Sequence, residues 1–237
     1  MADEIIDLND EEPQRVFRGV PEYEHYARGS SGLTRFSFSK RELTELAISI
    51  AVMSLAFSFI IAEDMLFLLR GDIAPLLISF IAVGSAFFFH EIGHKFMAQK
   101  YELWAEFRMW KEGLMLALFL AVASGGSFVF AAPGAVHISG ANISRRVDGI
   151  TSLVGPVVNI LIGVIFLLGL IILMVIGTGG FLWNLCVYGL IINLWLAAFN
   201  MIPFPPLDGH AVMRWNPLIW GIIGIPLFIV FIFLFLF

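Results

Sequence analysis

Cysteine is almost missing from this chain, with only Cys186 in 237 residues. That excludes an internal disulfide and a cysteine-built zinc site, and Cys186 itself, inside an apolar run, reads as a small buried hydrophobe. Charge is scarce too. Lys, Arg, Asp and Glu make up 14% of the residues against 59% hydrophobic, a balance that leaves the soluble class for that of polytopic membrane proteins. The net charge is −5 and the acids crowd the first 24 residues, so no basic surface for nucleic acid is expected. The start, MADEIIDLNDEEPQR, has no basic region leading into an apolar one, so no secretory signal peptide is expected. No repeat stands out, and no soluble stretch after residue 43 is long enough for an inserted domain.

What the chain does have is a series of apolar runs. Residues 1–42 carry acids, Pro13, Pro21 and the Arg28-Gly29-Ser30-Ser31-Gly32 linker, and are expected to form a weakly ordered cytoplasmic segment ahead of a membrane domain over 43–237. Spans are predicted at Leu43–Ala62, Pro75–Ala98, Ser152–Ile176, Phe181–Ile202 and Ile219–Phe237. Arg35, Lys40 and Arg41 precede the first, while Glu63, Asp64 and Asp72 follow it, which places the N-terminus in the cytoplasm. Two stretches resist the span pattern. Residues 101–112 alternate bulky apolar and charged side chains like a strand, with Glu102, Glu106 and Glu112 reading as surface residues. Leu114–Ala132 is apolar, but Ser124-Gly125-Gly126-Ser127 and Pro133-Gly134 break it, and Val136-His137-Ile138 reads as extended. The predicted fold is an all-α polytopic membrane protein of five to six transmembrane helices, with a small re-entrant or β region at about 101–143.

The chemistry gathers at His90-Glu91-Ile92-Gly93-His94. Helical spacing puts His90 and His94 on one face, where two ring nitrogens can take two corners of a zinc tetrahedron. Glu91 then lies beside the metal and can take a proton from water there. At 1.5 Å per residue His90 sits roughly 22 Å into a hydrocarbon core of about 30 Å. Two core histidines without a metal would be the plain reading in a soluble helix. Ionisable groups in an apolar span are costly without a purpose and partners, however, and a metal supplies both.

A hydrolytic zinc takes a third protein ligand and keeps one position for water. The candidate is Asp208, after the prolines Pro203, Pro205 and Pro206 that break the end of a span, and before Gly209. The other reading of Asp208 is a solvated turn residue. Asn159 reads as a polar contact between helices. His137 and His210 are either contacts near the site or polar residues at a membrane edge.

HEIGH within one span, Gly155-Pro156-Val157-Val158-Asn159 opening a later one, and Asn200-Met201-Ile202-Pro203-Phe204-Pro205-Pro206-Leu207-Asp208-Gly209 closing the next resemble the site-2 protease family of intramembrane zinc metalloproteases. The ordered match covers roughly residues 75–210. The resemblance implies one Zn2+ held by His90, His94 and Asp208, with Glu91 as the catalytic base. It implies that Asn200 helps stabilise the oxyanion or holds the substrate strand; alternatively, Asn200 bonds to backbone opened by Pro203. The implied substrate is a transmembrane protein or peptide, bound in extended form within the lipid bilayer and cut below the cytoplasmic face. If His90 and Asp208 share a metal near the same ends of their spans, those spans run the same way and an odd number of crossings separates them. Ser152–Ile176 is one crossing, so Leu114 to about Ile138 is expected to enter and leave on the cytoplasmic side. The rival class is a zinc transporter or a non-hydrolytic scaffold, although the other spans offer few further ligands for a metal pathway.

Overall fold

A computed structural model describes residues 37–62, 65–129, 133–140 and 143–236; the expectation for most of the acidic N-terminal segment lies outside them. Among the described residues seven helices and two strands follow in order: α1 (Lys40–Ala62), α2 (Ala74–Lys100), β1 (Trp104–Met109), α3 (Lys111–Ala123), β2 (Gly134–Ser139), α4 (Arg145–Val175), α5 (Phe181–Asn200), α6 (Asp208–Trp215) and α7 (Pro217–Leu236). Of these, α1, α2, α4 and α5 are long and apolar enough to cross a membrane, and α7 is a shorter apolar helix over Pro217–Phe233.

Local chemistry sets the helix starts. Ser39 Oγ accepts the Glu42 amide at 3.0 Å ahead of α1, and Pro75 opens α2 where an unpaired amide would otherwise stand. Ser144 Oγ accepts the Val147 amide, with Asp148 in the same first turn of α4. This cap starts α4 seven residues ahead of the apolar run predicted from Ser152, so Pro156 lies inside the helix instead of in its first turn. The missed turns, Arg145-Arg146-Val147-Asp148, carry too much charge for hydropathy to register them.

The contacts fix how the helices run. Glu42 meets Lys95 at one end of the α1–α2 pair, and the Ser79 hydroxyl donates to the Ser54 carbonyl further along, so the two are antiparallel. Thr151 meets His94 while Asn159 meets His90, so α4 runs against α2. Gly163 faces Leu194 and Gly169 faces Cys186, so α5 runs against α4 and therefore along α2. Among the helices long enough to span a membrane, α4 alone lies between α2 and α5 in chain order.

β1 and β2 pair antiparallel, with Trp104 opposite Ser139 and Met109 opposite Gly134. The Trp110 amide donates to the Pro133 carbonyl at 3.0 Å. The chain between them therefore starts and finishes at one place. Within that excursion α3 packs on α1, and its Leu114, Ala117 and Ala121 share one buried cluster with Met53 and Ala56 of α1 and Ala82 and Ala86 of α2. The turn beyond it brings Gly126 against the Phe59 carbonyl, near the far end of α1.

Acidic side chains tie the sheet to α1. Glu42, fully buried, accepts the Lys95 ammonium at 2.5 Å and the Phe107 amide at 3.0 Å. Lys95 also lies 4.5 Å from the centre of the Phe38 ring. Glu45 accepts the Met109 amide at 3.0 Å and the Arg41 guanidinium at 2.8 Å. Glu106, predicted at the surface, is buried between the Ser39 hydroxyl and the Arg108 guanidinium. Burial raises its pKa, but the Arg108 and Ser39 hydrogen bonds outweigh that and hold the carboxyl below its usual range.

Candidate metal centre

The turn after α5 brings Asp208 back onto the face of α2 that carries the two histidines. The Asp208 Oδ2 atom lies 3.3 Å from His90 Nε2 and 3.2 Å from His94 Nε2, and the two ring nitrogens are 3.0 Å apart. Gly209 makes this return possible. A Cβ there would strike the Met201 carbonyl, so only a glycine lets the first turn of α6 press against the end of α5.

The opposite nitrogens of both rings are engaged. His90 Nδ1 meets Asn159 Oδ1 at 2.5 Å, and His94 Nδ1 meets the Thr151 carbonyl at 2.8 Å. A carbonyl only accepts, so His94 Nδ1 carries its proton. The Asn159 amide is oriented by its own donors: Nδ2 gives to the Ala86 carbonyl at 2.9 Å and to Asn193 Oδ1 at 3.1 Å. Its oxygen must therefore face His90, whose Nδ1 is likewise the donor. Asn193 is held in turn by the Gly189 carbonyl at 2.8 Å. In the neutral rings both Nε2 atoms then present lone pairs, toward each other and toward a carboxylate oxygen.

Three electron-rich atoms crowded together repel unless a cation or proton lies among them. Among the described residues, no donor other than the two rings lies against the buried Asp208 Oδ2. On the side of α4, a Cβ at Gly155 would come within 2.5 Å of His94 Nε2 and 2.6 Å of His90 Cε1. The hydrogen atom of glycine keeps that space clear. One atom from each of His90, His94 and Asp208, all within 4.8 Å of one another, forms a donor set for a metal ion. Two imidazole nitrogens and a carboxylate oxygen suit zinc, with the fourth corner left for water or substrate.

A Methanocaldococcus jannaschii protein named "Putative zinc metalloprotease" is 40% identical over 192 residues, covering 81% of this chain and 93% of the relative. The chain belongs to that zinc metalloprotease family. No family model and no solved structure matches it. The cofactor of this zinc metalloprotease is zinc, and His90, His94 and Asp208 are the residues that fit it.

The remaining candidate residues fall in different places. Glu91, next to His90 in α2, is buried, and its Oε2 accepts the Val136 amide of β2 at 3.1 Å. Asn200 ends α5 and its Nδ2 donates to the Leu196 carbonyl at 3.1 Å. His137 lies in β2 opposite Glu106, and His210 lies in the first turn of α6. Three partners of the site were absent from the sequence reading: the Thr151 carbonyl, Asn193 and the Val136 amide. Only Asn193 left a signal, as a polar side chain inside an apolar span. Asn159, read as a helix-to-helix contact, makes that contact and orients His90 as well.

Proposed function

We propose that this zinc metalloprotease cuts peptide bonds in or near the transmembrane segments of membrane proteins, as a site-2 type intramembrane protease. The observation that carries this reading is the location of the metal donors among α2, α4 and the end of α5, three helices of membrane-spanning length. In this reading the N-terminus is cytoplasmic and α3 with its return loop is re-entrant. That arrangement leaves Arg145, Arg146 and Arg214 on the cytoplasmic side, in accord with the positive-inside rule.

A zinc ion held by His90, His94 and Asp208 would supply Lewis acidity for a scissile carbonyl and for water at this site. Glu91 takes the proton of the attacking water and delivers it to the leaving amine. Asn159 and the Thr151 carbonyl hold the imidazoles in the tautomer that directs both Nε2 lone pairs to the metal. Asn200 stabilises the oxyanion or the substrate strand by exchanging its bond to Leu196 for one to the substrate. A transmembrane substrate enters in extended form, because a helix keeps its carbonyls hydrogen-bonded, and it pairs with the small sheet.

The test is cleavage of a transmembrane substrate by purified protein in liposomes. Wild type is expected to cleave, a chelator to stop it and zinc to restore it, while Glu91→Gln binds zinc and does not cleave. Undiminished cleavage by Glu91→Gln sinks the mechanism. Cysteines placed at Ser139 and Asn142 report topology: labelling from outside the cell contradicts the re-entrant excursion.

A further inference from the structure

The hydrogen-bond parity of the sheet is set by the bond from the Trp110 amide to the Pro133 carbonyl. In an antiparallel ladder, pairs that exchange both bonds alternate with pairs whose amides point outward. With Met109 opposite Gly134 and Phe107 opposite Val136, those four residues, and Ile138 beyond them, aim their N–H groups away from the partner strand. The observed acceptors agree. Phe107 donates to Glu42, Met109 to Glu45 and Val136 to Glu91.

The two β1 caps are static. Glu42 is pinned by the buried Lys95 ammonium and Glu45 by the half-exposed Arg41, so a strand adding along β1 would have to displace a buried ion pair and a second, partly exposed one. The β2 cap is the base itself, one residue from a metal ligand. An extended peptide laid along β2 needs the Val136 N–H and carbonyl for its two-bond ring with the residue opposite. One N–H serves one strong acceptor at good geometry. Substrate pairing and the Val136–Glu91 bond are therefore mutually exclusive.

We propose that the Val136 amide is a latch on Glu91: it holds the carboxylate until a substrate strand pairs with β2, and the substrate carbonyl that takes over this N–H releases the base. This rests on the peptidase reading above and adds a positioning role for Val136. It also sets the substrate register, since the residue paired with Val136 is one hydrogen bond away from where Glu91 was held.

The test uses the full zinc-loaded chain and two hydroxamates. Acetohydroxamate reaches the metal but has no strand. An extended Val/Thr peptide hydroxamate reaches the metal and can pair with β2. The quantity read is the ratio of their dissociation constants, measured in wild type, in Glu91→Ala, and in both backgrounds with the Val136 amide replaced by an ester that removes only the N–H. Loss of the competing charged acceptor in Glu91→Ala is expected to shift the ratio about tenfold toward the peptide, and the ester is expected to abolish that shift. An unchanged ratio in Glu91→Ala, or a shift that persists in the ester, overturns the latch. Acetohydroxamate binding and zinc content show that the site is intact in every variant. If neither hydroxamate binds in a zinc-dependent way, the peptidase reading fails instead.

Discussion

Along β1 the outward amides of Phe107 and Met109 are taken by Glu42 and Glu45 of α1; along β2 the outward amide of Val136 is taken by Glu91 of α2. The same bond is made three times by the same side chain, and its surroundings decide its meaning. On β1 each carboxylate has a cation of its own, and the result is a strand welded to a helix. On β2 the carboxylate sits beside two histidines and an aspartate that form a metal donor set. In the proposed mechanism the bond there holds the general base. On that proposal one edge is structural and the other is the working edge.

The largest expected effects separate these edges. Glu91→Gln should lower cleavage by about 10²–10⁴-fold, the usual contribution of a positioned base, with zinc content and unfolding midpoint at wild-type values. A matching fall in stability would make β2 as structural as β1. On the other edge, Lys95→Met leaves Glu42 buried without its cation and should cost about 3–5 kcal/mol, read as an earlier midpoint in a denaturing-detergent titration. Combining it with Glu42→Gln should recover much of that loss. If Lys95→Met unfolds where wild type does, the β1 edge is not welded.

The helices behind the site supply a smaller effect. Asn159→Ala removes the acceptor that fixes His90 and should weaken zinc binding about 10- to 100-fold in a competing-chelator titration. Asn193→Ala acts one bond further out and should do less. The smallest effect belongs to Glu106. Its carboxyl lies below its usual 4.5 in the folded chain, so its ionised form stabilises the fold at neutral pH, and that contribution is lost as pH falls through the folded value. Glu106→Gln is expected to lower stability by about 1 kcal/mol or less at neutral pH, with the difference closing in acid.

The long helices and the pair His90 and His94 were legible in the sequence because hydropathy and helical spacing are local signals. Asp208 was reachable because three prolines and a glycine mark a broken helix end at one place. Where α4 begins was not legible, because its first turns are charged and a hydroxyl cap starts them. Nor was the burial of Glu42, Glu106 and Lys95, since a carboxylate near the start of an apolar run looks the same whether it faces water or a strand of amides. The bond from Val136 to Glu91 depends on the register of a sheet closed over a 24-residue excursion from Trp110 to Pro133, and no local pattern encodes it.

The metal donor set is tested most directly by zinc-edge X-ray absorption on the wild type and on Asp208→Cys. The wild type should show imidazole nitrogens and carboxylate oxygen at about 2.0–2.2 Å, and the variant should exchange one oxygen for a sulfur at about 2.3 Å. Zinc bound to Asp208→Cys with no sulfur in its shell would contradict the assignment of Asp208 as the third ligand.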